Sequence, residues 1–434
     1  MASVKEPTSQ PRLRDLLARR RDIKVHPEDA LDQEAPDESR PHHFYRPREV
    51  LVSNDPGQLE SFERAAGQLG LGYVRTESRS RPRLRGKKSE LASPLPAATR
   101  YLLEGEAPLE DTLCRLEDAS HGDFEVTPNH VLFGSPVWGM DPYGEPRPPG
   151  PGDPDPQLGG GGAGVIVAVV DSGVPRGRDE NPVLDGVETW PSEEEPWWYS
   201  GPEPILTGPQ GHGSFVAGVV RQAAAQATVR SYRALDTDSV TDEWYLGHQL
   251  ALVLAGGARV VNLSLGTTTR SDQTLMGLSA LEAAAHQERH GHGPAAPIVV
   301  AAAGNLDSSR KVYPAADPWT ISVGAVKLTG AKKANPERAK FSNFGGWVDV
   351  WARGVDVVSS YEAKPYRSSV TANGVVQFDG KAVWSGTSFA APYISAKVAE
   401  ILQGKPGLSR DEVLAELRNL SGSRKVPDLG WFVP

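Results

Sequence analysis

The stretch Val165-Ile-Val-Ala-Val-Val-Asp-Ser-Gly173 decides how the chain is read. Six consecutive apolar residues, four of them valine, are the length of a strand buried on both faces, and Asp171 follows where that strand must end. Working outward, strand-like runs recur at Thr228 to Ala234, Val260 to Leu265, Ile298 to Ala302 and Ile321 to Val326. Helical stretches such as Asp242 to Ala255 and Leu275 to Gln287 separate them. Strand and helix in alternation predict an α/β fold, a parallel sheet with helices on both faces. Ligands of such a sheet bind at the carboxyl ends of its strands. The chain closes with a helix after Ser388, its inner face Ile394, Val398, Ile401 and Leu402, and another opened by the capping box Ser409-Arg-Asp-Glu412.

Upstream, the pattern differs. Glu49 to Ser53 reads as a strand, Leu59, Phe62, Ala65, Ala66 and Leu69 as one helix face, and Leu71 to Thr76 as a strand. After a basic loop, Arg79 to Lys88, come a strand at Thr99 to Leu103, a helix stripe at Leu109, Leu113 and Leu116, and a strand at Phe124 to Phe133. This is the βαββαβ order of a small ferredoxin-like α+β unit. The expected organisation is a disordered polar tail over 1–41, that unit over 42–140, a Pro/Gly-rich linker over 141–160 and the α/β domain over 161–434. The glycines 159–162 precede a strand and lack a Gly-Lys-Ser/Thr ending, so they read as a flexible joint, not a phosphate loop.

The 434 residues are 38% hydrophobic, enough for a sizeable core, and the net charge of -9 gives no reason to expect nucleic acid or an anionic membrane surface as partner. The single cysteine, Cys114, cannot form an intramolecular disulfide, and its place in Asp111-Thr-Leu-Cys-Arg-Leu116 reads as a buried helix stripe. With no signal-peptide pattern and no membrane-length apolar run, a cytoplasmic location is expected.

Four segments carry chemistry: Val169-Val-Asp171-Ser-Gly173, Gly211-His212-Gly-Ser-Phe-Val-Ala-Gly218, Ala303-Gly304-Asn305 and Trp384-Ser-Gly386-Thr387-Ser388-Phe-Ala-Ala-Pro392. A serine nucleophile needs a base of near-neutral pKa, and that imidazole needs a carboxylate to hold its tautomer. Ser388, His212 and Asp171 supply the three groups. The Asn305 amide and the Ser388 backbone N–H, at a helix start, are donors suited to an oxyanion.

In this order, the four segments resemble the Asp, His, Asn and Ser motifs of the subtilase family, over roughly residues 161 to 434. The resemblance implies a serine endopeptidase working through an acyl-enzyme, with Asp171, His212 and Ser388 as triad and Asn305 with Ser388 as oxyanion hole. It implies that Ser264, Leu265 and Gly266 pair with an extended protein or peptide substrate, and that Ala302, Ala303 and Gly304 wall the pocket for the residue before the scissile bond. Val312 stands where roomier pockets have glycine, which implies a smaller residue there. Ser214 and Phe215 replace the family's usual Thr and His. The N-terminal unit resembles the subtilase prosegment, which implies an intramolecular inhibitor whose last strand feeds toward the active site. No cofactor is required on this reading; structural calcium is common in the family, but no loop shows enough carboxylates to name ligands. The pair His286 and His290 reads as surface histidines, and Trp190, Trp197 and Trp198 as cleft or packing residues with equal weight. A peptide ligase or macrocyclase on the same triad, and a pseudoprotease or inhibited binding protein, are the alternatives.

Overall fold

The computed structural model describes residues 10–27, 42–76, 98–134, 144–175, 180–190, 205–286, 295–330, 334–368 and 374–434. Its N-terminal part begins with α1 (Gln10–Arg19) and β1 (Lys24–His26). It continues as β2 (His43–Ser53), α2 (Pro56–Gln68), β3 (Tyr73–Thr76), β4 (Ala98–Leu103), α3 (Leu109–Ser120) and β5 (Val126–Gly134). Asp55 starts α2 by accepting the Gly57 and Gln58 N–H groups, with Pro56 in the first turn where its missing N–H costs nothing. The strands run in the order β5-β2-β4-β3, antiparallel throughout. Phe62 of α2 and Leu113 and Leu116 of α3 pack on Val50, Val52 and Tyr101 of the sheet.

Two expectations fail here. Part of the 1–41 tail is ordered: α1 and β1 lie within it, and β1 pairs with β2 from Lys24 opposite Tyr45 to His26 opposite His43. The polar composition concealed a short stripe, Leu13, Leu16 and Ile23, which is buried. Cys114 is exposed. The buried stripe of α3 is Leu109, Thr112, Leu113, Leu116 and Ser120, and Cys114 sits one residue, about 100° of rotation, off it.

The C-terminal part contains β6 (Ile166–Asp171), β7 (Glu188–Thr189), β8 (Leu206–Thr207), α4 (His212–Ala223), β9 (Thr228–Arg233), β10 (Val240–Asp242) and α5 (Glu243–Ala255). Next come β11 (Val260–Leu263), β12 (Leu265–Gly266), α6 (Ser279–Ala285), β13 (Ile298–Ala302), β14 (Thr320–Thr329), β15 (Asn335–Arg338) and β16 (Val350–Arg353). It ends with β17 (Val357–Ser360), β18 (Pro365–Arg367), β19 (Val375–Gln377), β20 (Lys381–Trp384), α7 (Thr387–Gly404), α8 (Arg410–Asn419), β21 (Arg424–Val426) and β22 (Gly430–Phe432). The central sheet has the order β21-β22-β16-β14-β13-β11-β6-β9-β7 and is parallel from β7 to β22. Helices α4 and α7 share one core with it, and α5 and α6 the other, the doubly covered sheet that the apolar runs predict. From β6 the chain first goes out to β9 and then returns to β11 on the other side, so the crevice beyond β6 and β11 is where a ligand belongs. The α8 capping box forms as expected.

The linker is also more ordered than its composition implies. Arg147 exchanges both backbone hydrogen bonds with Val383, at 3.0 and 2.8 Å. Gly159 is no joint: a Cβ there would stand 2.4 Å from the Gln222 carbonyl oxygen, so the glycine permits close packing against the end of α4.

The two parts meet along β5, which lies between β10 and β12, antiparallel to both. Around it the junction is polar and buried. His130 Nδ1 donates to Glu243 Oε1 at 2.7 Å while its Nε2 accepts the Arg270 N–H at 3.0 Å, which selects the neutral Nδ1–H tautomer. Asn129 accepts the Trp244 N–H in the first turn of α5. The Arg270 guanidinium binds Glu110 and Glu117 of α3.

A buried carboxyl gives the fold a pH dependence. Asp317 is 3% exposed, and neither oxygen has a hydrogen-bond partner among the described residues. Burial, reinforced by Glu282, pushes it up to about 7. Below about pH 4 the group is protonated folded or unfolded and contributes nothing; as pH rises to about 7 the unfolded chain ionises it and the folded one resists, so stability falls across that window. Asp317→Asn is expected to remove this fall, a difference on the order of a few kcal/mol at neutral pH, read from denaturant titrations at several pH values.

Candidate active site

Asp171 ends β6, His212 opens α4, Asn305 follows β13, and Ser388 lies in the first turn of α7. All four are buried. His212 Nδ1 is 2.8 Å from Asp171 Oδ1 and 3.0 Å from Oδ2, and the Ser172 N–H donates to Oδ1 at 2.7 Å. The glycines beside His212 are dictated by crowding. A Cβ at Gly213 would stand 2.3 Å from the Gly173 carbonyl oxygen, and one at Gly211, where φ is 86°, would meet the Tyr361 ring at 2.3 Å. The imidazole is walled by Trp384 at 5.7 Å and Phe389 at 5.4 Å between ring centroids.

Ser388 is tied to β11 and β12 through Ser264. Pro392 sits four residues on, inside α7, and has no N–H to give the Ser388 carbonyl. The Ser264 hydroxyl donates to that carbonyl instead, at 2.9 Å, and Asn262 Nδ2 donates to Ser264 Oγ at 3.0 Å. The sequence reading placed Ser264 only as a substrate-pairing residue; the proline four residues after a helix-start serine was the available signal. The Ser388 hydroxyl donates to the Ser264 carbonyl at 3.3 Å, while His212 Nε2 is buried with no hydrogen-bond partner among the described residues.

Asn305 Oδ1 accepts both the Thr387 N–H at 3.0 Å and its hydroxyl at 2.9 Å. That occupancy identifies the oxygen of the amide and leaves the NH2 end as the donor on the other side. The Ser388 N–H belongs to the first turn of α7, whose N–H groups have no intrahelical partner.

The narrow cavity at Ser388 is lined by Ser264, Leu265, Gly266, Ala302, Gly304 and Val312, together with Phe133 and Gly134 of β5. Val312 is set opposite Gly266 by the exchange of backbone hydrogen bonds between Thr267 and Tyr313. A Cβ at Gly266 would stand 2.6 Å from Val312 Cγ1, and one at Gly304 3.3 Å from Cγ2. Ala303 does not line the cavity, contrary to expectation. Side chains alternate along the extended backbone, so Ala302 faces the site while Ala303 packs with Val326, Val348 and Trp351.

The departure at Ser214 has a visible use: its hydroxyl donates to Glu362 Oε1 at 2.8 Å, and burial pushes that carboxyl up to about 7. Trp190 packs on the sheet under the Arg230 guanidinium, 5.1 Å away. Trp197, Trp198, His290 and His292 lie outside the described residues. His286 is exposed beside Glu282. Among the described residues no group of three or more His, Cys, Asp or Glu side chains converges to hold a metal ion. No helix among them is long and apolar enough to cross a membrane.

Comparison with known proteins places this geometry in context. The family model of the subtilase family, Peptidase_S8, matches residues 162–429. Subtilisin NAT of Bacillus subtilis subsp. natto is 27% identical over 268 residues, covering 59% of this chain and 60% of the relative. Subtilisin BL of Lederbergia lenta is 28% identical over 268 residues, covering 60% of this chain and 84% of that one. The match thus spans about 60% of the length of Subtilisin NAT. Among solved structures, fervidolysin from Fervidobacterium pennivorans, a keratinolytic enzyme related to subtilisin, superposes with a TM-score of 0.57 at 18% identity, covering 90% of this chain and 60% of that one. The chain is a member of the subtilase family.

Proposed function

We propose that this protein is a serine endopeptidase held inhibited by its own N-terminal part. The observation that carries the reading is the buried Asp171–His212 contact of 2.8 Å beside a helix-start serine and an oriented asparagine amide. In the reaction, Ser388 Oγ turns from the Ser264 carbonyl toward His212 Nε2, a change between staggered rotamers. It then attacks the scissile carbonyl carbon while its proton passes to Nε2, and Asp171 stabilises the imidazolium. The Asn305 NH2 and Ser388 N–H bind the oxyanion, His212 protonates the departing amine, and water repeats the sequence on the acyl-enzyme. Substrate enters extended and adds a strand to Leu265–Gly266. Val312 favours a small residue before the scissile bond.

The inhibitory role rests on β5: Phe133 stands opposite Gly266 and Gly134 opposite Leu265, on the edge a substrate would use. The β5-β2-β4-β3 order of the unit bearing it is that of ferredoxin-like units, in line with a prosegment. The same occupancy, with the Ser388 hydroxyl turned to Ser264, favours a second reading, an inhibited binding protein that does no chemistry.

Intact mass over time separates them. The wild-type chain is expected to lose an N-terminal fragment ending beyond residue 134 and to take up a fluorophosphonate at Ser388, while Ser388→Ala does neither. If the wild type stays whole and unlabelled, the binding-protein reading replaces the enzyme. Against a peptide substrate, Ser388→Ala is expected to lower kcat by roughly a million-fold, and Asn305→Ala by about a hundred- to thousand-fold with KM little changed. Val312→Gly is expected to shift kcat/KM toward larger residues before the scissile bond, by about tenfold or more for phenylalanine over alanine.

A further inference from the structure

We infer that residues 10–27 are a strap that fastens the inhibitory strand in the cleft from outside. The inference deepens the reading of β5 as an inhibitor and rests on it.

Side chains of β5 alternate between two environments. On one face His130 bonds Glu243 and Leu132 joins the core of the C-terminal part, packed with residues such as Val170 and Leu265. The other face presents Val131 and Phe133, which are 0% and 2% exposed and whose buried cluster, among the described residues, takes in no strand of the central sheet. Their cover is the apolar stripe of the strap, Leu13, Leu16 and Ile23. The same cluster takes in Phe44 of β2, Val240 of β10 and Leu306, the residue after Asn305. One small core therefore joins the strap, the inhibitory strand and both walls of the cleft.

Ion pairs hold the strap at its turn. Arg20 Nη1 donates to Asp236 at 2.7 Å and Asp238 at 3.1 Å, in the turn that leads into β10. Asp22 receives both Arg20 and Arg46, and Arg46 donates onward to Asp242 of β10 at 3.1 Å. The backbone pairing of β1 with β2 ties the other end to the N-terminal unit. The strap thus bridges the inhibitor and the C-terminal part, and β5 cannot leave the groove between β10 and β12 without exposing Val131 and Phe133 or dragging the strap off Asp236 and Asp238. Displacing the strap is the first step of opening the cleft.

The test uses the full-length chain with Leu16→Glu, which puts a charge into the small core, and separately Arg20→Ala, which is partly exposed and removes only the anchor. Hydrogen exchange is read in the Ser388→Ala background, so that no cleavage intervenes. Exchange of the amides of Val131 to Gly134 is expected to speed up by about tenfold or more in Leu16→Glu and by less in Arg20→Ala, with Val167 to Val170 unchanged. Unchanged exchange at 131–134 in both variants overturns the inference, as does an equal rise at 167–170, which would make the segment a general folding element. In the Ser388 background, faster fluorophosphonate labelling of Leu16→Glu adds support. If exchange rises but no probe labels Ser388 in any variant, the strap stands and the enzyme reading is what fails.

Discussion

A carboxylate and an imidazole with no exposed surface must find their partners inside the protein, and the contact of Asp171 with His212 sets the terms for the rest of the site. A buried charge that loses its partner costs several kcal/mol, so the carboxylate is tolerable only with the Ser172 N–H and the imidazole in place. Bringing the end of β6 and the start of α4 that close leaves no room for a side chain at Gly213, the Tyr361 ring leaves none at Gly211, and Trp384 and Phe389 wall the imidazole. The order of strands then brings Ser264 and Asn305 to the same end of the sheet, where α7 presents Ser388.

The junction between the two parts follows the same logic with different residues. Glu243 is fully buried and is made acceptable by His130 from the opposite part and by the Gly277 N–H. Asn129 completes the first turn of α5, and Arg270 closes on two carboxylates of α3. Such groups stabilise an assembled pair weakly and penalise a separated one strongly, because each is left without its partner. The hold on β5 is correspondingly a property of the complete interface, not of that strand alone.

The sheet and the four reactive segments were legible because each has a local signature: a strand-length apolar run, or a glycine-flanked polar residue at its end. What escaped the sequence depends on contacts between distant segments. Nothing near Leu13, Leu16 and Ile23 announces that three apolar residues in a charged stretch will be covered by Phe44 and Phe133. The glycines at 159–162 look like a joint, although Gln222 makes Gly159 a packing position and Ala227 does the same for Gly162. Ala303 was assigned with its neighbours to one wall, where the alternation of extended backbone sends it to the other side. Cys114 shows the converse: period alone, counted one residue differently, places it on the exposed side of α3.

The proline inside α7 has a consequence for how the molecule comes into being. Because Pro392 cannot complete the turn that carries Ser388, that turn is finished by the hydroxyl of Ser264, at the carboxyl end of β11. The reactive serine is therefore not a local product of its own helix; its backbone is complete only when residues 124 positions apart have met. A chain in which α7 has formed but the middle of the sheet has not yet assembled leaves the Ser388 carbonyl without that donor, so the setting of this serine comes late, with the closing of the tertiary fold.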